Sequence, residues 1–101
     1  ITSAARSPLL PNVPTLQESG VKEADVYSWQ AVAGPRGLPA DVKQKLHDGI
    51  AAILREPAIK TKLEELGFEL VLNSPEEFGK YQAAEYARWQ KLIRERRITA
   101  D

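Results

Sequence analysis

Any chemistry in this chain has to come from one histidine, one carboxylate set in an apolar helical stripe, and a short aromatic and hydroxyl cluster. His47 is the single histidine and cysteine does not occur, so disulfides, thiolate sites and histidine metal clusters are excluded and no cofactor is expected. A serine nucleophile would need His47 beside it and a carboxylate to orient the ring, yet no nucleophile elbow or other activating context surrounds any serine. His47 lies on the flank of a helical stripe and reads as a surface or boundary histidine. The chain is therefore read as no enzyme. Glu76 and Glu77 stand at a helix start, where the positive end of the helix dipole explains them without a ligand.

Glu85 is different, because helical spacing sets it among Phe78, Trp89 and Leu92. A carboxylate there must find donors or be protonated, and a structural hydrogen bond to a neighbouring backbone group or indole is the expected solution. Glu85 and Trp89 are accordingly read as structural residues. Tyr27, Ser28 and Trp29 alternate in an extended run, so their side chains point to opposite faces. Core packing accounts for the aromatics; a place beside a ligand cleft would make Ser28 and Trp29 ligand contacts. Arg88, Lys91, Arg94, Arg96 and Arg97 gather near the end of the last helix, where cations oppose its negative pole. Fourteen basic and fourteen acidic residues leave no net charge, which argues against nucleic acid as a partner.

The elements that carry these residues are marked by prolines and glycines. Pro8, Pro11 and Pro14 stiffen residues 7–14 into a surface strap outside any ladder. Thr15 with Glu18 forms a capping-box pattern for a helix that Gly20 stops after little more than a turn. Residues 26–33, apolar, aromatic and β-branched, read as a strand buried on both faces. Pro39 opens a helix running to about residue 54, with Val42, Leu46, Ile50 and Ile53 on one stripe. Pro57 starts a shorter helix bearing Ile59, Leu63 and Leu66, and Gly67 is placed for its left-handed cap. Residues 68–72 read as a second strand. Ser74, Pro75 and Glu77 make the strongest helix start in the chain, and that helix should reach about residue 96 with Phe78, Tyr81, Trp89, Leu92 and Ile93 as its buried stripe.

With 101 residues, 43% of them apolar and 28% charged, the composition is that of a globular chain of one domain at most. It starts at Ile1 and has no methionine, so a processed chain or a fragment is expected. No apolar run reaches the roughly 18 residues needed to span a bilayer.

Arg6, Ser7, Leu10, Pro11, Asn12, Val13, Pro14, Thr15, Glu18 and Gly20, followed by Ser28, Trp29, Pro35, Gly37 and Pro39, resemble the C-terminal third of the substrate-binding proteins of tripartite tricarboxylate transporters, the Bug or TctC-like family. Pro57, Leu63, Gly67, residues 74–78, Glu85, Arg88 and Trp89 continue the likeness over nearly the whole chain. Asn12 stands for the family's Asp, Ala31 for a Gly and Leu38 for a Thr. The resemblance implies an α/β fold: a fragment of a bilobal periplasmic-binding-protein type II fold with two short strands and three main helices. Residues 1–20 would be a crossing strap with a short helix, and residues 21–101 the C-terminal α/β portion of one lobe.

The function so implied is part of a periplasmic solute-binding protein that captures a small carboxylate, a di- or tricarboxylate or an acidic amino acid, for membrane transporter subunits. The family's main anion-gripping loops lie outside this stretch, so Ser28 and Trp29 are the ligand-contact candidates here. The alternative is a stand-alone small α/β protein-interaction module, which a start immediately before Ile1 would favour. Because two short strands would lack neighbours, the isolated chain is expected to pair as a two-fold homodimer.

Overall fold

The computed structural model describes residues 1–100; Asp101, the last residue of the expected 21–101 portion, lies outside them. Three helices appear: α1 at Ala40–Leu54, α2 at Pro57–Glu65 and α3 at Pro75–Arg96. Among the described residues there is no strand, so the chain is all-helical and the expected α/β class with two strands is wrong. The reason lies in what a strand is. Its backbone groups are satisfied by a neighbour, and β-rich composition at residues 26–33 and 68–72 supplies none. Val32 is 78% exposed, where burial on both faces was expected.

Contacts divide the chain into two compact units, Ile1–Leu70 and Val71–Asp101. In the first, α1 and α2 pack on each other. Proline sits at the N-cap of α1 and at the first turn of α2, positions that need no N–H donor, and Asp41 faces the positive end of α1. Gly67 ends α2 at φ +86°. Its N–H reaches the Glu64 carbonyl at 2.9 Å and the Phe68 N–H reaches Leu63 at 3.0 Å, the paired closure that a left-handed residue permits. Leu9 Cδ1 lies 4.0 Å from where a Cβ on Gly67 would stand, which brings the strap against the end of α2.

The core of this unit is small. Ala51 is the buried apolar residue, at 4% exposure. On the predicted stripe of α1, Leu46 and Ile53 are each 53% exposed, so much of the roughly 1.5 to 3 kcal/mol available from burying each is not collected within this chain.

Residues 15–20, expected as a short helix, form hydrogen-bonded turns instead. The Thr15 hydroxyl accepts the Glu18 N–H at 3.1 Å. Gly20, at φ +88°, closes the segment by sending its own N–H to Gln17 and the Val21 N–H to Leu16. The cap and the stop are both present, but between them only one turn fits, and one turn cannot repay helix nucleation.

In the second unit α3 starts with a complete capping box: the Glu77 N–H donates to Ser74 Oγ at 3.1 Å and the Ser74 N–H donates to Glu77 Oε2 at 2.8 Å. The Ser74 backbone N–H first, and the Ser74 side chain second, hold the Glu77 carboxyl below its ordinary pKa. A carboxylate whose pKa is lowered on folding adds stability above its unfolded pKa and loses it as pH falls through the folded value. The first turn of α3 should therefore fray in acid. Ser74→Ala removes the cap at neutral pH, and we expect a loss of about 1 kcal/mol of α3 stability, read by circular dichroism in a urea titration; an unchanged midpoint would refute it. Arg97 ends the helix at φ +52°, a position at which glycine is usual.

Candidate functional site

Each residue singled out from sequence can be located within its own unit. Ser28 is exposed, Trp29 is 42% exposed, and both lie outside any helix in the first unit. The chain reaches them through Val26, whose N–H donates to the Thr2 carbonyl at 2.9 Å, while Thr2 Oγ1 donates to the Val26 carbonyl at 2.8 Å. Tyr27 is anchored beside them, its hydroxyl oxygen accepting the Ala4 N–H at 2.8 Å. Ser28 and Trp29 thus follow directly on a segment bonded to Thr2 and Ala4, and carry a hydroxyl and an indole ring.

Glu85 and Trp89 meet on α3 in the second unit. Trp89 Nε1 donates to Glu85 Oε2 at 3.0 Å, Arg88 Nη1 approaches Glu85 Oε1 at 3.6 Å, and the Glu85 side chain is 15% exposed. The Arg88 guanidinium also stands 5.8 Å from the centre of the Trp89 ring, within cation–π range. One carboxylate thereby engages its neighbours three and four residues on. Phe78 and Tyr81 stack at 6.5 Å with their rings tilted by 34°. The stripe on this helix is only partly covered, since Leu92 and Ile93 are exposed.

His47 Nδ1 lies 3.3 Å from Asp48 Oδ1, and Gln44 Nε2 donates to the same oxygen at 2.8 Å. These contacts lie along the polar side of α1 and assemble no nucleophile and base. Among the described residues no group of three or more His, Asp or Glu side chains could hold a metal, and no helix is long and apolar enough to cross a membrane. A shallow apolar groove runs along α1 past Val42, Leu46, Gly49, Ile50 and Ile53.

One contact was missed from sequence. Arg6 holds Glu18 through Nε at 2.8 Å and Nη2 at 2.6 Å, and its Nη1 donates to the Pro11 carbonyl at 3.0 Å. The Arg6 side chain, and to a lesser degree the Thr15 backbone, keeps the Glu18 carboxyl below its ordinary range. Opposite charges on either side of a proline-turned loop were the available signal.

Comparison with known proteins gives a consistent result. Residues 1–98 match the tripartite tricarboxylate transporter family receptor. The UPF0065 protein of the tcbD-tcbE intergenic region of a Pseudomonas species is 35% identical over the whole of this chain, which covers 30% of that protein. The UPF0065 protein of the TAR-I ttuE-ttuC' intergenic region of Agrobacterium vitis is 31% identical over 94% of the chain and 28% of its own length. Protein BugT of Bordetella pertussis is 30% identical, again over 94% of the chain, and 29% of that protein is covered. The chain spans less than a third of the length of these relatives.

Proposed function

The chain belongs to the tripartite tricarboxylate transporter receptor family, and from that premise we propose that it forms the C-terminal portion of a periplasmic solute-binding protein that captures a small carboxylate and delivers it to membrane transporter subunits. The family is one of receptors, not of enzymes. What carries the proposal is the match over residues 1–98, together with the strap and capped-helix motifs spread along that length. On this reading residues 1–20 cross between lobes and residues 21–101 belong to one lobe. Ser28 and Trp29, both exposed, contact the anion, and Glu85 with Trp89 braces α3. Closure of two lobes around the ligand excludes water and strengthens each hydrogen bond to the carboxylate oxygens. By itself the chain pairs into a two-fold homodimer, because its apolar helix faces lack cover.

The test is a panel of di- and tricarboxylates and acidic amino acids offered to two proteins: the 101-residue chain, and a polypeptide of the relatives' length that contains it. One ligand class should raise the melting temperature of the longer protein, by the equivalent of about 2.7 kcal/mol at a hundredfold excess over Kd. Ser28→Ala and Trp29→Ala in that protein should weaken binding about tenfold or more. The short chain should be silent in calorimetry. Saturable binding to it tighter than about 10 μM, or about 7 kcal/mol, would mean that these residues make a site by themselves and would overturn the two-lobe reading.

A further inference from the structure

Residues 1–27 contain neither helix nor strand, and an ordered stretch of that length without secondary structure is uncommon unless it has a function. Its order comes from bonds that return to the same segment. The Ile1 carbonyl accepts the Leu16 N–H at 2.9 Å. Thr2 and Val26 exchange two hydrogen bonds, at 2.8 and 2.9 Å. The Thr15 carbonyl accepts both the N–H and the hydroxyl of Ser19, and Thr15 is only 2% exposed. The first two residues are thus bonded on one side to Leu16 and on the other to Val26.

Arg6 joins the two halves of this arrangement. It grips the Pro11 carbonyl in the proline half and the Glu18 carboxylate in the turn half, and the Glu18 N–H is in turn held by Thr15 Oγ1. We propose that residues 1–27 are a self-locked strap that opens and closes as one unit, with Arg6 on Glu18 as its latch. Releasing the latch loosens the 15–20 turn. The turn then loses Leu16 from the Ile1 carbonyl, and the Thr2–Val26 pair loses its backing. A single exposed ion pair contributes little in general; a bidentate arginine inside a network is the recognised exception. The latch belongs to the segment itself and does not depend on the ligand. Its consequence for lobe closure, that the crossing turns as a stiff piece instead of bending within, rests on the receptor reading above.

Amide hydrogen exchange on the 101-residue chain tests this. The Leu16, Val21 and Val26 amides should be slowed together. Arg6→Gln or Glu18→Gln should speed all three by about three- to tenfold, while the Arg55 amide, bonded to Ala51 in α1, keeps its rate. The exchanged pair Arg6→Glu with Glu18→Arg should recover part of the protection. Four results overturn the proposal: unprotected Leu16 and Val26 in the unaltered chain, an effect confined to Glu18 and its neighbours, equal acceleration at Arg55, or no recovery in the exchanged pair. None of these outcomes bears on carboxylate binding, so the strap and the receptor function stand or fall separately.

Discussion

At micromolar concentration the isolated chain will scatter light as a particle of about twice 11.2 kDa, and its melting temperature will rise with concentration. The original ground for expecting a dimer, unpaired strand edges, disappears with the strands. The helices supply a better one. Leu46 and Ile53 are half exposed on one stripe of α1, and Gly49 leaves a gap in the middle of it, with nothing within 4 Å of where its Cβ would be. Two α1 helices laid antiparallel would bring each stripe onto the other at that gap. They would also set Asp41 of one copy towards Arg55 of the other, at opposite ends of the helix. Leu46→Asp, exposed in the single chain and central in the pair, should return the monomer mass without loss of helix. A monomer at every concentration, with a cooperative melt, would remove the argument. In a polypeptide of the relatives' length the same face should be covered from within, and that protein should run as a monomer.

Ala51→Asp should dismantle the first unit. Ala51 is the buried apolar residue of α1, at 4% exposure, and an unpaired carboxylate there costs several kcal/mol. A unit with so small a core has little stability to spare. We expect the helix signal of α1 and α2 to be lost at low urea while that of α3, which belongs to the other unit, persists. Ala51→Ser, of nearly the same volume, should cost about 1 to 3 kcal/mol. If Ala51→Asp melts at the same urea concentration as the unaltered chain, the burial of this position contributes nothing to the fold.

What could be read from the residues was what neighbours in sequence decide. Ser74, Pro75 and Glu77 announced α3, Pro57 announced α2 and Gly67 its end, because caps and prolines act over three or four residues. The Glu85–Trp89 bond follows the same four-residue spacing. Residues 26–33 misled because their composition describes a surface suited to a sheet, whereas a ladder depends on a partner that composition does not reveal. The Arg6–Glu18 contact spans twelve residues and exists only after the prolines have turned the chain. Ser28 and Trp29 lie in an exposed segment, where the alternation of side chains separates two faces but does not say which of them meets a ligand.

The proline start of α2, the capped start of α3 and the left-handed stops of both also bear on time. A helix whose beginning and end are written locally can form in roughly a microsecond, before any distant part of the chain has arrived. The bonds of residues 1–27 join positions as far apart as Thr2 and Val26, so that segment must first meet the entropy of closing a long loop. Nascent α3 should therefore precede the strap. Early helices with exposed aliphatic faces are also what a holding chaperone grips, and the half-covered stripe of α1 would be its handle until cover arrives.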